Sequence, residues 1–139
     1  MNKPIATMAR TNEILAKYDL YAKKNFGQNF IIEPGIVEKI ARLSQADARS
    51  AVIEIGPGIG ALTEQLARVA GQVLAFEIDD RLIEVLADTL SDYPNVEVKH
   101  QDFLEADLNA TVTKLKTQSV GSGTGLRQFT VLYYDSHLI

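Results

Sequence analysis

Apolar and polar positions along the chain fall into two rhythms that take turns. Thr11 to Tyr21 sets Ile14, Leu15, Tyr18 and Tyr21 toward one side, at helical spacing. Pro34 suits the first turn of a helix running to about Leu43, with Ile36, Val37, Ile40 and Leu43 as its apolar stripe. Ala51 to Ile55 is a short, nearly continuous apolar run and reads as a buried strand. Helical spacing returns from Gly60 to about Val69, and Gly71 marks its stop. Val73 to Ile78 predicts a second strand. Asp79 fits the N-cap of a helix carrying Leu82, Ile83, Leu86 and Leu90. Pro94 and Asn95 mark a turn, and Val96 to His100 alternates as a third strand. The order β-α-β-α-β predicts an α/β fold with parallel strands and right-handed crossovers, the N-terminal part of a Rossmann-like sheet.

Beyond Leu115 the pattern breaks. Thr117 to Gly125, TQSVGSGTG, is poor in apolar residues and reads as a flexible linker. Leu126 to Ile139 is apolar again but has no partner elements after it. The expectation is an incomplete sheet with an open edge and an uncovered apolar face, prone to instability or aggregation.

Composition narrows the classes. The chain has 139 residues, 46% hydrophobic and 23% charged, which suits one globular domain with a core. There is no cysteine, so disulfides and thiolate zinc sites are excluded. That fits a cytoplasmic location, as does an N-terminus, MNKPIATMAR, without the apolar core of a signal peptide. No apolar run is long enough to span a bilayer. A net charge of −4 gives no general attraction to nucleic acid, so any such contact needs a local basic patch or a part not represented here. His100 and His137 are far apart in sequence and unaccompanied, so no metal site is expected.

The candidate chemistry begins at AVIEIGPGIGALTEQLA, Ala51 to Ala67. In open α/β sheets the ligand lies beyond the carboxyl ends of the strands. Gly56, Pro57, Gly58, Ile59 and Gly60 occupy that place, and glycine lets backbone approach a ligand closely. The next helix offers free N–H groups. Gly56, Gly58 and Ala61 satisfy the dinucleotide pattern G-x-G-x-x-A, so an NAD-binding half of an oxidoreductase is one reading. Glu77, about 20 residues on, could accept from ribose hydroxyls in either reading. Two acids favour S-adenosylmethionine instead. Glu54 could orient the turn or meet the cationic amino-acid end of that ligand, and it would sit badly beside a pyrophosphate. Asp102, between Gln101 and Phe103, could accept from an adenine amino group, with Phe103 as an apolar edge.

KKNFGQNFI, Lys23 to Ile31, is the second informative stretch. Phe26 and Phe30 could simply pack down while Lys23 and Lys24 stay solvated. Alternatively Gln28 and Asn29 contact a ligand and the lysines touch RNA phosphates. The residues alone leave both open.

F-G-Q-N-F, then V-I-E-I-G-P-G-I-G-A-L-T, then F-E-I-D, then Q-D-F, together resemble the ribosomal RNA small-subunit adenine dimethyltransferase family, from about Thr11 to about Lys116. The resemblance implies a Rossmann-like methyltransferase domain followed by a small helical domain. It implies transfer of methyl groups from S-adenosylmethionine to N6 of two adjacent adenosines near the 3′ end of small-subunit rRNA. The partner would then be that rRNA within the immature 30S subunit, with no membrane and no metal. It places Asn29 and Ile31 on the methionine side of the pocket, Gly56 at the close approach, Glu77 on the ribose and Asp102 on the adenine amino group. Gln28, Glu54, Gly58 and Phe103 are secondary candidates.

The family's catalytic motif, N-L-P-Y-Y, is not present in register; Tyr133 and Tyr134 follow Val131-Leu132 without Asn or Pro. Gln128 to Ile139 can nevertheless be encoded so that the same bases, read from the second position, give N-L-P-Y-Y-I-T-T-P-I-L. The expectation is a truncated chain with an out-of-frame or disordered tail over 119–139. Ahead of it stand an N-terminal helix and cofactor- or RNA-contacting loop over 1–33, and a partial methyltransferase domain over 34–118. Such a chain is expected to be an inactive fragment. The remaining alternative is a non-catalytic interaction fragment.

Overall fold

A computed structural model describes residues 3–20, 34–103, 105–122 and 128–133. Helix α1 spans Met8–Lys17 and α2 spans Pro34–Leu43. Strand β1 is Ser50–Ile55, α3 Ala61–Val69, β2 Gln72–Glu77, α4 Asp80–Thr89 and β3 Val96–His100. Helix α5, Glu105–Ser122, and strand β4, Gln128–Tyr133, complete the order.

The β-α-β-α-β core stands as the apolar rhythm predicts, with local caps setting its ends. α1 begins three residues before the expected Thr11 because Thr7 caps it, its Oγ1 accepting from Arg10 N at 3.2 Å. Asp79 caps α4, its Oδ1 accepting from Arg81 N at 3.0 Å. Asn95, in the turn before β3, closes α3 from outside: its Nδ2 donates to Ala67 O at 2.8 Å and Ala70 O at 3.1 Å. Two carbonyls left orphaned at that helix end are thereby satisfied.

The sheet order is β3-β2-β1-β4, and every pairing is parallel. Ile55 lies level with Phe76 on β2 and with Tyr133 on β4. β1 is thus an inner strand, and β4, paired on one side only among the described residues, forms the edge of the sheet. The linker reading of Thr117 to Gly125 is corrected over its first part, since residues 117–122 continue α5. The poor helix formers there are outweighed by Leu108, Val112 and Leu115, spaced to meet the sheet together.

Helices cover both faces. One core joins Val52 and Val73 of the sheet to Ile14 and Leu15 of α1, Val37 of α2, Leu66 of α3, and Val85 and Leu86 of α4. The other joins Ala51, Ile53, Leu74 and Phe76 to Leu115, with Phe103, Leu108 and Val112 packed around them. The apolar face expected to lie bare is therefore covered by α5. The two faces follow from chain direction. β1 to β2 to β3 progresses one way across the sheet, and the return to β4 goes the other way. With right-handed crossovers in both, the helices must fall on opposite sides.

Candidate cofactor site

The reversal between β1 and β4 puts the switch point of the sheet at the β1 tip, where ligands of open α/β sheets bind. The glycine turn sits there. Gly56 and Gly58 adopt φ of 77° and 62°, a region that disfavours side chains bearing Cβ. Gly56 N still donates to Phe76 O at 2.9 Å, so the β1–β2 ladder runs into the turn. Gly60, φ 96°, serves packing: a Cβ there would meet Leu90 Cδ2 and Thr89 Oγ1 at 3.2 Å.

Glu77 ties this turn to the β2 tip. Its Oε1 accepts from Gly58 N at 3.3 Å, and its Oε2 accepts from Ile78 N at 2.9 Å and Asp79 N at 3.1 Å. A carboxylate offers about four acceptor positions, so one remains for a ligand donor. The side chain is only 6% exposed, and burial pushes its pKa up against the pull of the three backbone N–H groups. Gln101 N donates to Glu77 O at 3.0 Å, which draws the β3 tip alongside. Asp102 follows it on the surface.

Glu54 is 1% exposed and receives a hydrogen bond from Thr63 Oγ1. Of the two roles open to it, the geometry carries the one that orients the turn: it fastens β1 to the first turn of α3. Burial pushes its carboxyl up to about 7, with the Thr63 bond opposing and the Glu77 charge adding. Phe103 is half-buried, its ring 4.4 Å from that of Phe76, within the α5-side core.

The sequence reading missed Ile78. It is 63% exposed, directly after Glu77, and offers apolar surface at the strand tips. Its position after an acid at a strand end was the available signal. His100 serves structure: its Nε2 lies 2.6 Å from Asp80 Oδ1 and 3.2 Å from Ile78 O, holding the turn after β2. Gln28, Asn29 and Ile31, with Lys23, Lys24, Phe26 and Phe30, lie outside the described residues, as does His137. Among the described residues, no three His, Cys, Asp or Glu side chains are grouped to hold a metal. Nor is any helix among them long and apolar enough to cross a membrane.

Charge selects the kind of ligand that fits. Glu77 ends β2 and Asp102 follows β3 by two residues, with Asp79 and Asp80 in the turn after β2, and Arg81 is bound to Asp79 at 2.6 Å. Such a site suits a ligand carrying positive charge and hydroxyl donors, and it opposes a pyrophosphate.

Comparison with known proteins agrees. The ribosomal RNA adenine dimethylase family matches residues 20–132, past the Lys116 limit read from the motifs. Ribosomal RNA small subunit methyltransferase A of Anoxybacillus flavithermus is 57% identical over 114 residues, 82% of this chain and 39% of that protein. Its counterpart in Enterococcus faecalis is 58% identical over 113 residues, 81% of this chain and 38% of that protein. An RNA methyltransferase from Salinibacter ruber, solved with S-adenosyl-L-homocysteine, shares the fold. Its TM-score is 0.51 and its identity 20%, over 73% of this chain and 74% of that one. The chain thus spans about 39% of the length of the curated relatives it matches. With more than half its aligned residues shared across four-fifths of its length, the chain belongs to the ribosomal RNA adenine dimethylase family.

Proposed function

We propose that this chain carries the S-adenosylmethionine-binding half of a small-subunit rRNA adenine N6-dimethyltransferase. The observation that carries the reading is Glu77: a buried carboxylate that fixes the glycine turn and keeps an acceptor for a ribose hydroxyl. Gly56 gives the close backbone approach. Ile78 offers the purine an apolar surface, and Asp102 accepts from its amino group. Asn29 and Ile31, with Gln28, would hold the methionine end. When bound, the cofactor supplies the sulfonium methyl group. The acidic strand tips match its two positive centres, whereas an NAD pyrophosphate would meet repulsion.

The substrate of the whole protein would be small-subunit rRNA in the immature 30S particle, which places the work in ribosome assembly in the cytoplasm. This chain by itself does not complete the transfer. Base-modifying enzymes hold an extruded base by stacking and by acceptors for its edge. The family's Asn-Leu-Pro-Tyr-Tyr would do so, but here β4 puts Tyr133 level with Ile55 at the tip, with no Asn or Pro in that strand. An out-of-frame origin for 119–139 would account for the missing motif, and the family match through residue 132 stands against it over 119–132. Sequencing the gene tests it, and an in-frame gene without the motif in the alternate frame overturns it.

Calorimetric titration tests the cofactor reading. S-Adenosylhomocysteine should bind and NADH should not. Glu77→Gln should weaken binding by about 10- to 100-fold, the worth of a hydrogen bond to a charged acceptor. NADH binding, or an unchanged affinity in Glu77→Gln, overturns the reading. Methyl transfer to unmodified 30S particles should be undetectable with this chain.

A further inference from the structure

A second concavity lies on the helical side, away from the glycine turn. It is a cleft of about 730 Å³ between the segment before α1, the helices α1, α3 and α4, and the turn before β3. Three cations from three separate segments line it: Lys3, Arg10 of α1 and Arg68 of α3. The convergence stands out in a chain whose net charge is −4.

Two acids also line it, and one of them is already engaged. Glu64 accepts from Ile5 N at 2.9 Å through Oε1 and from Tyr93 Oη at 2.8 Å through Oε2. Arg68 Nε in turn donates to Tyr93 Oη at 3.4 Å, and the Glu64 and Arg68 charges act on one another across this wall, so Glu64 offsets part of the cationic charge of the cleft. Asp92 is exposed at the rim. Arg10 is the unusual member. Its side chain is only 12% exposed, Nη1 lies 3.2 Å from the exposed Glu13, and Nε is sealed from solvent without an acceptor. A guanidinium held so far out of water, with part of its fork unmatched, is costly. A polyoxygen anion in the cleft would offset the cost of the buried charge by Coulomb attraction, while the sealed Nε stays unmatched.

We propose that this cleft binds a phosphate-class oxyanion, gripped by Arg10, Arg68 and Lys3. The proposal does not depend on the cofactor reading, because S-adenosylmethionine carries no phosphate. The phosphate could belong to an RNA backbone or to a free polyphosphate, and the same fork geometry serves both.

The test titrates the full chain with inorganic pyrophosphate by calorimetry, then repeats the titration with a single-stranded oligoribonucleotide in competition. Pyrophosphate should bind, and Arg68→Gln and Lys3→Gln, both at exposed positions, should each weaken it at least about fivefold. Arg10→Gln should abolish binding; the two surface variants keep the test valid if Arg10→Gln unfolds. Arg49→Gln, an exposed charge outside the cleft, should change nothing. Competition by the oligoribonucleotide assigns the cleft to a phosphodiester backbone, and its absence to a free phosphate. No binding at millimolar pyrophosphate, or equal weakening by Arg49→Gln, overturns the proposal.

Discussion

Glu54 shows how one buried carboxyl couples the fold to pH. Its folded-state pKa, about 7, lies above the ordinary carboxylate value of 4.5. The folded protein therefore holds this proton more tightly than the unfolded chain does. The stability it contributes is fully present below about pH 4.5 and is lost as pH rises to about 7. Glu54→Gln keeps an acceptor for Thr63 without the charge. The stability difference between wild type and variant should shift by on the order of 3 kcal/mol between pH 5 and pH 8, in the variant's favour at high pH. Urea unfolding at the two pH values measures it, and parallel curves would reject the assignment. Glu54 was legible as a candidate because an acid interrupts an apolar strand. Its partner Thr63 was not, since contact between β1 and the first turn of α3 depends on how the turn folds back.

At the scale of elements, the junction from β1 to α3 is the most constrained. Gly60 combines positive φ with contacts that a Cβ would crowd against Leu86, Thr89 and Leu90 of the neighbouring helix and its cap. Gly60→Ala should destabilise the chain by about 2–4 kcal/mol, from backbone strain and overpacking together. A lower urea midpoint at unchanged slope checks this; a neutral result would mean that α3 and α4 can move apart. The glycines themselves were plain in the sequence. Their division of labour was not: Gly58 presents its N–H to Glu77, while Gly60 sets the spacing of two helices. Equally, α1 starts at Met8 because of Thr7, a cap outside the apolar rhythm that located the helix.

For the whole molecule, α5 closes the second layer, and among its described side chains Leu115 is the buried one. Leu115→Ala should cost about 2–5 kcal/mol and expose the sheet face of Ile53, Leu74 and Phe76, read as increased binding of an apolar dye. An unchanged stability would show that α5 adds nothing to the core. The sequence by itself determined the parallel β-α-β-α-β core, the glycine turn, and the acids Glu54, Glu77 and Asp102 at successive strand ends. Strand and helix rhythms and glycine punctuation are local signals, carried by neighbours in the chain. Only the tertiary structure decided that residues 128–133 return beside β1, that residues 105–122 form one helix, and that the β1 tip is therefore the switch point. Those outcomes rest on pairing and burial between residues some 60 to 80 apart, Leu115 on Ile53 and Val131 beside Ile53 among them. A surface that becomes apolar on one side only after the sheet exists leaves no periodic trace strong enough to outweigh the Ser and Gly around it.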